Sequence, residues 1–515
     1  MTLLLWGLLA IAVALRLLPR LVWARFMGTD HHFHSYYARL IRANGHRLPD
    51  AEPRIVGGPN ECTYPALYHA VLSYLPDAGL AWMDRYSGLL FDLVTAAVLA
   101  GVLVRTGGLE PALVPALIGL YLLAPALTFS TVGPRAFSLT PRNFSQAAFG
   151  LASAAVFLAA DEPGVQARAL EVLATVLLAV SLLSAQFAEQ AVLFILLPAA
   201  AFLRDPAPAY LALASFALAA VISRGFFVTQ VRAHLEHLEW YHRCNQWFVS
   251  HRGRWSKLWE GLRARSPGQV WHEVAFYNPM LVGCVRHTTH LAAVAAAAWT
   301  GVSGSTAWAF AISAGCLVPW VITTIGPFRI LGEADRYLEF GFAAQWYLVW
   351  RLVPAPWRRA AIGALAIYSL CWYAYNLRVI RIQMGSHGVD HQRELASWIG
   401  EDPAQVLLAL SNNESYFLLR HTPVRLVGFL VNLTLRAPHE GWFDWFFHRY
   451  PFVHPDHLRE MLQRYGVSLV LCNKGVSRQF HELTGRSYDF ADLELVREND
   501  VYALYRVPAA LREPA

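Results

Sequence analysis

Apolar stretches of about 20 residues recur from the N-terminus to about residue 380 and then stop. A helix needs about 20 mainly apolar residues to cross a hydrocarbon layer about 30 Å thick. The pattern predicts about eleven transmembrane helices, near residues 2–22, 86–105, 111–131, 143–160, 169–185, 190–203, 207–226, 279–300, 304–326, 338–353 and 359–379. Arg286, His287 and His290 interrupt the eighth of these stretches, 279–300, so we expect its helix to begin nearer residue 288.

The polar segments between these stretches differ greatly in length. With an odd number of spans the chain ends lie on opposite sides, and every long polar segment then falls on one face of the membrane. These long segments cover residues 23–85, 132–142, 227–278, 327–337 and the chain from 381. Arginines are more numerous in the short loops of the other face, which favours a cytoplasmic N-terminus and an external position for the long segments.

From residue 381 the pattern changes to short alternating elements. The segments "AQVLLALS", "VRLVGFL" and "VSLVLCNKG" are typical of strands, "PDHLREMLQRYG" of a helix, and "LELVREND" with "VYALYRV" of a closing hairpin. We therefore predict an α-helical polytopic membrane protein with a small C-terminal α/β extracytoplasmic domain. The predicted division is a membrane domain at 1–380, with a first loop at 23–85 and a long loop at 227–278, and a soluble domain at 381–515.

The composition supports the membrane assignment and shows that arginine is used in place of lysine almost throughout. The 515 residues are 56% hydrophobic and 15% charged, with mean hydropathy +0.35, which excludes an ordinary soluble protein. The net charge of +6 comes from arginine, because Lys257 and Lys474 are the only lysines. Arginine holds phosphate through a two-pronged hydrogen bond. Tryptophan and arginine interleave in 227–278, which predicts amphipathic interfacial helices and no nucleic-acid contact.

The first loop opens with "GTDHHFHSYYARLIRANGHRLPD", residues 28–50, where Asp30 follows the first span. A carboxylate at the membrane interface can serve as a base for a lipid-borne substrate. The alternative is that Asp30 only caps the amphipathic helix that follows it. His31 and His34 have the spacing of two ligands on one helix face, so a divalent metal with Asp30 is an open alternative. Histidines that contact solvent or substrate are the other interpretation, and no cofactor is required.

The same loop ends in "GGPNECTYPALYHAVLSYLP", residues 57–76, which returns to the membrane through Tyr64 and Pro65. Glu61 is a candidate second acid, and an exposed loop carboxylate is the alternative. Tyr64 belongs either to a sugar or acceptor pocket or to an interfacial aromatic belt.

Further candidates lie in the short segments of the same face. Arg135 and Arg142 flank "AFSLTP" at the membrane surface and suit a lipid phosphate, or else are interfacial arginines whose charged ends reach water. Glu189 lies within an apolar region, where ionisable groups usually face a cavity, so it is a candidate for the sugar pocket. The segment "GPFRILGEADRYLEFG", residues 326–341, carries Glu333, Asp335 and Arg336, which could also form an ordinary charged helix start.

An acid after the first span, an amphipathic helix and the "TYPALYH" re-entry together resemble the GT-C superfamily of integral-membrane glycosyltransferases. The resemblance is to the protein O-mannosyltransferase and lipid A aminoarabinose transferase types, many of which carry Asp–Glu where this chain has Asp30 and His31. It implies an Asp30 base, and a lipid-phosphate contact at Arg336 that Glu333 or Asp335 orients. From the residues alone, His31 and His34 are candidates for contact with the sugar or the acceptor.

The function expected from the residues and the resemblance is inverting transfer of a sugar from a polyprenyl-phosphate donor. The acceptor would be a lipid, glycan or protein on the outer face of a bacterial or archaeal cytoplasmic membrane, with membrane lipids as further partners. A lipid or sugar transporter or flippase without transferase chemistry is the alternative. Because the long polar segments crowd onto one face, alternating access is disfavoured.

Overall fold

The computed structural model describes residues 2–22, 29–128, 139–250, 255–332, 334–386, 389–411, 414–430, 433–436 and 440–512. The helices of the first half are α1 (Thr2–Val22), α2 (Thr29–Ala43), α3 (Leu67–Ser73), α4 (Asp77–Arg105), α5 (Val114–Leu123), α6 (Pro125–Thr128), α7 (Pro141–Ala159), α8 (Gly164–Leu182), α9 (Gln186–Leu203), α10 (Ala207–Ile222) and α11 (Phe226–Ser250). Those that follow are α12 (Trp255–Arg263), α13 (Pro267–His272), α14 (Pro279–Arg286), α15 (Thr288–Thr300), α16 (Gly304–Ile322), α17 (Asp335–Phe340), α18 (Phe342–Leu352) and α19 (Arg358–Ser386).

All eleven apolar stretches form helices, but they are not equally regular. Within the described residues, six helices are long and apolar enough to cross a membrane by themselves, and the bent pair α10–α11 would add a seventh. The chain is therefore an integral membrane protein. The predicted eighth span is broken at His287, so that α15 begins at Thr288 as expected.

The predicted tenth span is also broken, between α17 and α18. A close contact explains why the residue at this break is a glycine, Gly341. Gly341 lies against α16, and a Cβ atom there would stand 2.0 Å from the Sγ of Cys316. Only glycine leaves room for the Cys316 side chain at this position. The break turns α17 into a separate short helix that carries Asp335 and Glu339.

Contacts between the segments that connect the helices distinguish two faces of the helix bundle. On one face, which we call the turn face, Asp161 Oδ1 accepts the backbone N–H of Ser305, and Arg351 donates to the carbonyl of Thr106. On the other, which we call the loop face, Leu67 N–H donates to the carbonyl of Leu183. The segments that follow α1, α8, α10 and α16 lie on the loop face, which is the predicted one-sided arrangement.

The tail adds α20 (Val389–Ile399), α21 (Ser415–His421), α22 (Glu440–Phe446), α23 (Leu458–Arg464) and α24 (Lys474–Thr484). Its main sheet has the order β1-β3-β2-β6-β8-β7, and β4 and β5 form a separate pair. The strands are β1 (Ile55–Gly57), β2 (Val406–Ala409), β3 (Arg425–Gly428), β4 (Phe447–Arg449), β5 (Phe452–Val453), β6 (Leu469–Asn473), β7 (Glu494–Glu498) and β8 (Tyr502–Arg506). The predicted strands, the helix and the antiparallel hairpin are confirmed.

One edge strand of the tail sheet comes from the first loop. β1 pairs in parallel with β3, with Ile55 opposite Leu426 and Gly57 opposite Gly428. This strand crosses the predicted division at 380/381, and α19 also continues past it to Ser386. The tail and the first loop therefore fold as one unit.

The central strands of the sheet are buried on both faces, and one face covers α2. Alternate residues along a strand point to opposite faces. Leu407 and Ala409 accordingly join the cluster that contains Phe33 and Tyr37 of α2, whereas Leu408 packs in a cluster on the opposite face. The tail thus packs directly on the helix that follows the first span.

Candidate active site on the loop face

The structure describes the candidate residues to different extents. Arg135 and Glu333 lie outside the described residues. Asp30 and His31 lie in the first turn of α2, where the described positions are those of the backbone. The predicted roles of these four residues therefore remain predictions.

Phe33, which follows on α2, is enclosed by aromatic rings from its own helix and from two other parts of the chain. Phe33 stacks on Tyr37 and makes edge contacts with Tyr64, and Tyr416 of α21 closes the cluster from the tail. All four rings are buried. A packed aromatic environment of this kind fixes the position and rotation of α2. Tyr64 is therefore a neighbour of α2, as its predicted place in the pocket requires.

His34 pairs with a histidine that the sequence analysis did not select. Its Nδ1 lies 3.0 Å from Nε2 of His69 on α3, and both rings are buried. Nδ1 of His69 lies 3.2 Å from the carbonyl oxygen of Pro65. Burial lowers the pKa of His69 to about 3, because desolvation disfavours the charged ring. His69 is therefore neutral at physiological pH.

Glu61 makes its contacts with the tail. Its Oε1 lies 3.5 Å from Nη1 of Arg436, and both side chains are nearly half exposed. Its backbone carbonyl accepts the hydroxyl of Thr434. These contacts place Glu61 in the seam between the first loop and the tail, and its role as a second acid stays a prediction.

Arg142 lies at the loop-face end of α7. The Thr140 side chain caps this 19-residue helix by accepting a hydrogen bond from the backbone N–H of Arg142. Arg142 therefore belongs to the first turn of the helix. Among the described residues, no hydrogen-bond acceptor reaches its buried Nη1. Asp84 of α4 anchors the start of the helix, because its Oδ1 accepts the N–H of Leu139 at 3.2 Å.

A polar connection runs from α7 into the helices that carry the other candidates. One turn after Arg142, the amide of Gln146 donates to Glu339 of α17 at 2.9 Å. Asp335 lies one turn earlier on α17, with its Oδ2 3.7 Å from Nη1 of Arg286. All these side chains except Arg142 are nearly fully buried. Gln146 thus joins α7, one turn beyond Arg142, to the helix of Asp335 and Arg336.

Glu189 and Arg336 lie in the adjoining part of this polar region. The Glu189 carboxylate accepts hydrogen bonds from Gln230 and from Nδ1 of His234, the latter at 2.8 Å. The guanidinium of Arg336 lies 5.5 Å above the ring of Phe187, two residues before Glu189 on α9. Glu189 therefore has protein partners already, and its predicted place in a sugar pocket is untested.

Two buried ion pairs between α1 and α4 were missed from the sequence. Arg16 Nη2 lies 2.6 Å from Asp92 Oδ2, and Arg20 Nη2 lies 3.4 Å from Asp84 Oδ2. The signal was present, since charged residues inside apolar spans nearly always pair with one another. The second pair stands where α1 ends and the chain leaves toward α2.

The described side chains contain no group of three histidine, cysteine, aspartate or glutamate residues arranged to hold a metal ion. His34 is occupied by His69 on one ring nitrogen. A metal at Asp30, His31 and His34 remains an alternative prediction, since the first two side chains are not described.

No protein-family model matches the chain, and no curated protein does. Among solved structures, it is similar to ArnT from Cupriavidus metallidurans, crystallised in the apo state and bound to undecaprenyl phosphate. Both comparisons have 13% identity and cover 99% of this chain and 98% of ArnT, with TM-scores of 0.43 and 0.45. ArnT is a lipid A aminoarabinose transferase, a type of GT-C protein that the loop motifs resemble. A likeness this distant assigns no role to any residue here.

Proposed function

We propose that this protein is a membrane glycosyltransferase that takes a sugar from a polyprenyl-phosphate carrier on the loop face. The observation that carries the proposal is Arg142, a cation in the first turn of a 19-residue helix whose buried Nη1 has no acceptor among the described residues. A buried donor without a partner costs about 1–3 kcal/mol. A phosphate bound at this helix start would supply the acceptor and would also be favoured by the helix dipole.

The proposed reaction assigns one role to each group. An acceptor hydroxyl attacks the anomeric carbon of the sugar, and the bond from that carbon to the carrier phosphate oxygen breaks. Asp30, in the first turn of α2, takes the hydroxyl proton. Arg142, joined by Arg135 and Arg336, neutralises the departing phosphate. The acceptor is a lipid, a glycan or a protein, the loop face is the outer face, and no metal is needed.

The test is release of carrier phosphate by the purified full-length protein in liposomes. Liposomes are loaded with a set of polyprenyl-phosphate sugars, candidate acceptors are added, and released polyprenyl phosphate is quantified by mass spectrometry. Asp30→Asn should lower the rate by about 10²-fold or more because it removes the base. Arg142→Ala should lower it by roughly 10²- to 10³-fold because a pre-positioned charge is lost.

The matched control is Arg168→Ala, because Arg168 is an exposed arginine that belongs to α8 at the opposite end of the bundle. It should retain the wild-type rate. Carrier that crosses the bilayer without release of phosphate would identify a transporter and reject the proposal. Loss of activity with EDTA that one divalent ion restores would replace the metal-free mechanism with a metal-dependent one.

A further inference from the structure

Hydrogen-bond donors and acceptors around His69 determine which ring nitrogen of His34 carries a proton. A carbonyl oxygen can only accept, so Nδ1 of His69 must carry the hydrogen that Pro65 accepts at 3.2 Å. Because His69 is neutral, its Nε2 is then an acceptor. The hydrogen between the two rings at 3.0 Å therefore belongs to Nδ1 of His34. Nε2 of His34 is consequently the basic atom of that ring.

The position of His34 on α2 relates this basic atom to Asp30. The two residues are four apart on one helix, which places them one above the other on the same face. Helical side chains lean toward the N-terminus of their helix, so His34 leans toward the turn of Asp30. The rings of Tyr64 and His69 contact His34, at centroid distances of 6.1 and 5.2 Å.

We propose that His34 relays the proton that Asp30 removes from the acceptor hydroxyl, and that His69 is a positioning residue that holds His34 in the tautomer this relay needs. The inference rests on the proposed function. The hydroxyl O–H bond breaks as the carboxyl O–H of Asp30 forms, and that proton then moves to Nε2 of His34. The resulting imidazolium keeps its Nδ1–H on His69, whose neutral Nε2 stabilises the charge through a stronger hydrogen bond.

The arrangement fits a relay better than a purely structural pair. The three groups form a directed series from a fixed carbonyl through His69 to His34, as in other base-and-orienter pairs in enzymes. A structural pair would need no particular basic nitrogen. Here burial keeps His69 neutral, so the proton goes no further along the series than His34. Nε2 of His34 then gives the proton to the departing polyprenyl phosphate, which leaves as a dianion. Asp30 and His34 are both restored for the next turnover.

The first measurement does not depend on activity. Full-length protein labelled with ¹⁵N-histidine is examined by NMR, with His34 and His69 assigned through single substitutions. We expect both neutral rings to carry hydrogen on Nδ1, and His69→Phe to change the tautomer of His34 while leaving other histidines unchanged. A His34 that carries its hydrogen on Nε2 would overturn the inference.

The second measurement is kinetic. His34→Ala should lower kcat by roughly ten-fold or more with little change in KM, because a proton-transfer step is impaired and binding is not. Added imidazole should restore part of that loss, which a merely structural role would not allow. His46→Ala is the matched control, since this half-exposed histidine of the same loop bonds to Ser73 and stacks on Tyr74.

The two proposals can fail separately. If wild-type protein releases carrier phosphate and His34→Ala does so at the same rate, the relay is rejected and the transferase stands. If wild-type protein releases none from any donor, the transferase and the relay are both rejected, whereas the tautomer measurement still reports on the histidine pair.

Discussion

Replacing Arg54 with alanine removes the side chain that ties the first loop to the tail. Arg54 donates to the carbonyl oxygens of Thr422 and Leu419 at 2.8 and 2.6 Å and lies 3.3 Å from Oε1 of Glu52. The Glu52 side chain is fully buried, and its other carboxylate oxygen accepts the hydroxyl of Tyr36. In Arg54→Ala, the buried Glu52 carboxylate would lose its cation.

The expected loss of stability follows from this burial. Breaking a buried ion pair by removing one partner costs about 3–5 kcal/mol. The Arg54 side chain is 24% exposed, which favours the lower part of that range. Since about 1.4 kcal/mol corresponds to a factor of ten, a loss near 3 kcal/mol raises the undocked fraction of β1 by roughly 10²-fold.

Limited proteolysis of the full-length protein with thermolysin measures the undocked fraction, because cleavage of a transiently opened segment tracks its population. Cleavage within residues 50–60 should be roughly 10²-fold faster in Arg54→Ala. Arg436→Ala is the control, because its ion pair with Glu61 is nearly half exposed and should contribute less than about 1 kcal/mol. Equal cleavage rates for the two variants would refute the reasoning. Adding Glu52→Gln to Arg54→Ala should recover part of the loss, since no buried charge is then stranded.

Two further predictions concern the tail. In Gly58→Ala, the new Cβ would lie 2.3 Å from the carbonyl oxygen of Gly428, so β1 should be displaced and cleaved faster by thermolysin. Gly475→Ala is the control and should be tolerated. Equal cleavage rates for the two variants would contradict this prediction. Burial raises the pKa of Glu414, so its stabilising contribution is complete below its unfolded pKa of about 4.3 and is lost as pH rises through the higher folded pKa. Glu414→Gln should therefore flatten the fall of Tm with rising pH, and a parallel fall in the variant would exclude Glu414 as its cause.

The sequence revealed the elements whose signal is local. Apolar length located the helical stretches, and the charges at Arg286 to His290 located the break that ends at Thr288. Short apolar runs located β2, β3 and β6. In each case the residues that form the element also carry its signal.

The missed features depend on partners distant in the chain. β1 is three residues long, and nothing in "IVG" indicates that Leu426 pairs with Ile55. His34 stood out among four nearby histidines, but its partner His69 is 35 positions away. Arg20 and Asp84 could have been paired by requiring partners for charges in apolar spans. The pairing of the side chains at the site could therefore be found only from the structure, whereas the segments that form the site could be predicted from the sequence.

The strand that the first loop lends to the tail also constrains how the protein is made. β1 is synthesised directly after the first span, yet Arg54 and Thr422, which its docking joins, are 368 positions apart. The sheet can close only if both segments reach the same side of the membrane, which requires the intervening helices to insert with the correct parity. A single mis-inserted helix would strand β1 and the tail on opposite sides. Closure of this sheet therefore depends on correct insertion of the helices between β1 and the tail.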